Sequence, residues 1–186
     1  MATAANAMKA LLITVAIALV AFAGFTRFNS TNRADAPVDP GLSTGWANLV
    51  VTIGDRTFTM SNGFAAQEAI PGSATEDTVR VIGSPALGDV TRDGHRDAAL
   101  LIENDSGGGR FYYAVLAVNE SGSYRATNAL LLGDRIAPLT VDFLDGRFVY
   151  NYSERQPGEP LTALPSVLQS VWIRFDRPSG HISGGT

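Results

Sequence analysis

Three aspartates recur at every fourth residue in the run Gly88-Asp89-Val90-Thr91-Arg92-Asp93-Gly94-His95-Arg96-Asp97, and the apolar residues 98–102 follow at once. Carboxylates at loop positions 1, 5 and 9, with a glycine at 6, outline an oxygen-ligand calcium loop feeding a β-strand. In that frame Asp89, Asp93 and Asp97 give carboxylates, Thr91 a hydroxyl and His95 its backbone carbonyl. Other residues oppose the ion. Thr91 stands where Asp or Asn is usual, Leu100 occupies position 12 in place of a bidentate Glu, and Arg92 and Arg96 repel a cation. The competing reading needs no metal: Asp93-Gly94 makes a turn, Asp89 and Asp97 satisfy turn amides, and the arginines pair with the carboxylates. Calcium held here would bind at about 10⁻⁴–10⁻³ M, as in extracellular modules, and its role would be structural.

A second candidate surface is the segment 153–167, whose backbone is restricted by Pro157, Pro160 and Pro165. Its charged groups are Glu154, Arg155 and Glu159. Long ordered loops often bind partners; the alternative is an Ω-like crossover that covers a sheet edge. Asn104-Asp105-Ser106-Gly107-Gly108 is similar to the stretch around a trypsin-like nucleophile. A triad needs a histidine base from distant sequence, and the only upstream histidine is His95, so a glycine-rich hairpin connection is expected instead. The aromatics Phe111, Tyr112, Tyr113, Phe148, Tyr150 and Tyr152 line either the core or a ligand groove.

The chain has no cysteine, which excludes disulfides, thiol catalysis, thiolate zinc sites and lipid attachment through a lipobox cysteine. Residues 34–186 carry 11 bases against 18 acids. A mildly acidic domain of this kind argues against nucleic acid as a partner.

These residues must be carried by short strands. From Trp46 onward, apolar runs alternate with turn residues, and no helical period is sustained. The strands expected are 49–53 and 56–60 around Gly54-Asp55, then 78–82, 98–103, 110–118 and 124–132. Next come 139–144 and 147–152 around Asp145-Gly146, and 168–176. A helical turn is expected near 65–69. The segment 110–118 is apolar on both faces and should be central. The fold class is therefore mainly β: an antiparallel meander forming a sandwich or partly open barrel, preceded by an N-terminal hydrophobic helix.

That helix is the apolar run 10–25, flanked by Lys9 and Arg27. Residues 1–28 read as a signal-anchor or as a signal peptide cleaved after Ala23. A polar linker (29–45), an extracytoplasmic β-domain (46–178) and a disordered tail (179–186) follow. The domain then lies outside the cytoplasmic membrane, in the periplasm or at the cell surface, tethered to the membrane by the helix, or is secreted if the leader is cleaved.

The run 88–102 resembles the loop-plus-strand of FG-GAP-type and dockerin-type repeats. Three further motifs are Ser-Gly-Gly-Gly-Arg-Phe-Tyr-Tyr (106–113), Ala-Leu-Leu-Leu-Gly-Asp-Arg-Ile-Ala-Pro (129–138) and the segment 149–167 beginning Val-Tyr-Asn-Tyr-Ser-Glu-Arg. With the loop, they resemble an uncharacterised family of small bacterial envelope proteins, many of them lipoproteins, over residues 47–176. The resemblance implies a fold and an envelope location, and no activity. Four Asn-x-Ser/Thr sequons, at Asn29, Asn104, Asn119 and Asn151, carry no meaning in such a cell.

Two functional classes stand. One is a non-enzymatic binding or structural domain that contacts an envelope protein or polymer through 153–167, with an inhibitor of a secreted enzyme as a variant. The other is an envelope polymer hydrolase using two carboxylates among Asp89, Asp93, Asp97, Glu154 and Glu159.

Overall fold

The computed structural model describes residues 45–185, all within one unit of the chain, Pro40–Thr186. The hydrophobic helix expected over 1–28, and the linker up to residue 44, lie outside the described residues. Among those described, no helix is long and apolar enough to cross a membrane.

The chain is mainly β, its sheets are antiparallel and, among the described residues, no barrel closes. β1 (Val50–Ile53) and β2 (Arg56–Thr59) form a hairpin around Gly54, whose φ of 62° suits only a residue tolerant of the left-handed region. A larger sheet runs in the order β3 (Phe64–Glu68), β4 (Glu76–Gly88), β5 (Asp97–Asp105), β6 (Arg110–Glu120). The far edge of β6 is shared: β7 (Ser123–Ala126) pairs with its end and β8 (Leu130–Asp134) with its beginning. β9 (Ala137–Leu144), β10 (Arg147–Glu154), β11 (Val167–Asp176) and β12 (His181–Gly185) make a four-stranded sheet in the order 12-11-10-9.

Two cores result from the period-2 alternation of side chains along β5 and β6. Ala99, Leu101, Tyr112, Ala114 and Leu116 face Phe148, Tyr150, Ile173 and Ile182 of the four-stranded sheet. Ala98, Leu100, Ile102, Val115 and Ala117 face Leu49, Val51, Phe58 and Met60 around the β1–β2 hairpin. Alanines on the central strands let the large rings of the outer sheet come close. Gly88 does the same for Phe143: a Cβ at that glycine would lie 2.2 Å from the ring. Complete burial of Phe148 contributes about 1.5–3 kcal/mol. The buried Tyr150 hydroxyl donates to the Leu100 carbonyl at 3.0 Å and lies 3.3 Å from that of Val115, bolting β10 to the β5–β6 pair.

The central place of 110–118 and the hairpins at Gly54 and Gly146 are as the sequence implies. Four features differ. Residues 64–68 form strand β3 instead of a helical turn, because β4 offers an edge and their alternating half-burial uses it. The expected strand 124–132 breaks into β7 and β8 at Thr127, whose hydroxyl accepts the Leu116 amide at 3.0 Å. Residues 181–185, expected in a disordered tail, form β12 on the edge of β11, held by Asn128 through the amide and carbonyl of Ile182. Finally, 155–166 is no crossover: it joins the paired neighbours β10 and β11, so it is a long hairpin connection.

Tyr150→Phe should lower the unfolding free energy by about 1–2 kcal/mol, because the buried carbonyls lose their donor while the core keeps its volume. Urea denaturation checks this, with the midpoint falling and the slope unchanged.

Candidate functional site

The aspartate loop joins β4 to β5 and is organised around its own amides. Asp97, fully buried, accepts the amides of Val90 (3.0 Å) and Thr91 (3.1 Å) on one oxygen and that of Asn119 (3.0 Å) on the other. Asp89 accepts the amide of Asp93 and the Thr91 hydroxyl on Oδ1, and the Gly94 amide on Oδ2. Asp93 accepts the His95 amide at 2.8 Å. The carboxylates therefore face N–H groups of their own turn. Among the described residues, no group of three or more His, Asp or Glu side chains is gathered to hold a metal. Arg92 sits at a φ of 55° and Gly94 at 91°, left-handed values that tighten the turn.

Protonation equilibria follow from the same contacts. Burial pushes the Asp97 carboxyl above its ordinary value, with the amides of Asn119, Thr91 and Val90 pulling the other way. At Asp89 desolvation also raises the pKa, but the Gly94, Asp93 and Arg92 amides and the Thr91 hydroxyl together hold it below 3.8.

The other end of β5 carries a different arrangement. Arg80, Glu103, Tyr112 and Gly133 stand in register across β4, β5, β6 and β8. Glu103 is buried, accepts the Tyr112 hydroxyl at 2.7 Å, and pairs with Arg80 at 2.6 Å. Burial, and then that hydrogen bond, push the Tyr112 phenol up to about 12. Arg110 lies 3.7 Å from Glu103 and 3.4 Å from Asp105, and the Glu103 charge raises its pKa. Asp105 is held ionised chiefly by the Gly107 amide at 3.0 Å. Asn104, on the opposite face, donates to Asp77 and to the Thr78 carbonyl.

Beside this row lies a cleft of about 440 Å³ lined by Asp105, Gly107–Gly109, Arg110, Tyr112, Arg135 and Ile136. Arg135 adopts a φ of 48°, a conformation that costs a residue with a side chain about 1–3 kcal/mol. Three bonds hold it there. Its amide donates to the Arg110 carbonyl at 2.7 Å, its Nη2 to the Gly108 carbonyl at 3.2 Å, and its own carbonyl accepts Arg155 Nη1 at 3.1 Å. The segments 106–113, 129–138 and 149–167, distant in sequence, thus meet at one place.

No protein-family model matches this chain, and neither a curated protein nor a solved structure matches it. The site must be read from its own geometry. Of the loop residues expected to bind, Arg155 reaches the cleft's border, where its Nε also donates to Ala163 at 2.7 Å and fixes the loop. Glu154 instead pairs across strands with Gln169, and Glu159 accepts the Gln156 amide within its own turn. Asp89, Asp93 and Asp97 share one turn, and none of these five carboxylates lines the cleft. The nine residues of β5 put roughly 26 Å between Ser106 and His95 at about 3.3 Å per residue, so a triad through them is out of reach. The Glu103, Arg110 and Arg135 cluster went unread in the sequence; local signals were the glycines 107–109 and the triplet Gly-Asp-Arg, which occurs at 54–56 and again at 133–135.

Two measurements test the loop. A carboxyl whose pKa is lower folded than unfolded contributes stability above its unfolded value, lost as pH falls through the folded one. Asp89→Asn should therefore melt lower than the native chain at pH 7, and the gap should close as pH falls below 3.8, followed by thermal unfolding. Melting the full chain in chelator and in millimolar calcium should give one midpoint. An ion at a hundred times its dissociation constant would add about 2.7 kcal/mol.

Proposed function

We propose that this chain is a membrane-tethered, extracytoplasmic β-sandwich of non-enzymatic binding role. Its working surface is the glycine-lined cleft together with the loop 155–166. The observation that carries the reading is the convergence of three separate segments on Arg110, Arg135 and Arg155, where a left-handed arginine backbone is held in place by hydrogen bonds. Strain maintained by surrounding contacts is characteristic of working sites. The loop supports it too. It is ordered by Ala163 N–H to the Pro160 carbonyl and Ser166 N–H to the Glu154 carbonyl, yet presents Leu161 and Leu164 at 60% and 86% exposure. The apolar leader and the likeness of these motifs to small envelope proteins support the location. We propose the aspartate loop as a fold-organising turn, with calcium outside its normal role.

Protease added to spheroplasts expressing the full chain should digest the domain while a cytoplasmic marker survives, and the chain should sediment with membranes. Protection alongside the marker would sink the location. Release of reducing ends from envelope polymer by the purified chain would sink the non-enzymatic reading.

A further inference from the structure

The cleft's chemistry says more than that something binds there. Resting on the binding reading above, we infer that it takes a hydroxylated monocarboxylate of the sugar-acid class. Among the described residues Arg110 makes two long contacts, to Glu103 and Asp105, so its fork retains N–H groups for a planar carboxylate. Arg135 spends one nitrogen on Asp134 at 2.8 Å and another on Gly108, which aims the guanidinium along the glycine wall. Two arginines lining one cleft, neighbours through the Arg135 amide and the Arg110 carbonyl, suit capture of an anion.

The local charge favours one negative charge over two. Among the residues that line the cleft, Arg110 and Arg135 stand against Asp105, a surplus of one. A phosphate dianion would exceed that surplus and meet the Asp105 carboxylate in the same cleft. Asp105 instead suits a hydroxyl donor: Oδ1 takes the Gly107 amide and Oδ2 faces Arg110, and each oxygen keeps a lone pair. The glycines leave backbone in the lining, and Tyr112 and Ile136 supply limited apolar contact. Carboxylate at the arginines and hydroxyls at Asp105 and the glycine backbone together describe a sugar acid.

The test is titration of the isotope-labelled full chain in detergent micelles with glucuronate, glucose, acetate and inorganic phosphate, reading backbone amide resonances. Glucuronate should shift Gly107, Gly108 and Gly109 saturably, and more tightly than the other three probes. Arg110→Gln and Arg135→Gln should each weaken it about tenfold or more, with the resonances of β12 unmoved to show that the fold is intact. No saturable shift with glucuronate overturns the inference. So does equal binding of glucose, equal binding of acetate, tighter binding of phosphate, or full affinity in both variants. None of these outcomes touches the location and non-enzymatic role, which fail only in the spheroplast and polymer assays.

Discussion

Leu101 and Ile102 are neighbours in β5 that point to opposite faces of one sheet, and both are buried. The same holds along β6 from Ala114 to Val118. A strand covered on both faces has no room for an unpaired polar side chain, since each would cost several kcal/mol of lost hydration. Polar groups are therefore displaced to the two ends of the β5–β6 pair. There they become either anchors for the fold or walls of a cleft.

The two ends solve the problem differently. At the Asp97 end the carboxylate accepts three backbone amides, and the turn is satisfied from within. At the Glu103 end the acid is answered by side chains from two flanking strands. Side chains can satisfy a neighbour and still leave donors over, and Arg110 does so. Donors left over thus gather at the end that carries the cleft. At the end with the conspicuous aspartates the carboxylates cap the amides of their own turn.

What the sequence made legible was whatever rests on local periodicity: the apolar double face of 110–118, the Asp-Gly hairpins, the strand after the aspartate loop. Its failures have a common cause in pairing partners that lie far along the chain. Residues 181–185 contain two glycines and two polar residues, and they are ordered only because Asn128 and β11 receive them. Ala65 and Ala66 favour helix locally, and β4 overrides that preference. The site was least legible of all. Arg110, Arg135 and Arg155 each look like solvated surface charges until hydrogen bonds among three segments bring them together. Arg155 alone was singled out beforehand, for the loop it stands in.

The side-chain amides of Asn104 and Asn119 point inward: the first donates to Asp77 and Thr78, the second to the Arg96 carbonyl while its oxygen takes the Gly122 amide. Both stand in acceptor sequences for N-linked glycan. A glycan attached to the emerging chain would occupy the nitrogen that each asparagine must bury, and the β5–β6 pair could not close around it. A glycan at either asparagine is thus incompatible with this fold, and replacing Ser106 and Ser121 removes both acceptor sites.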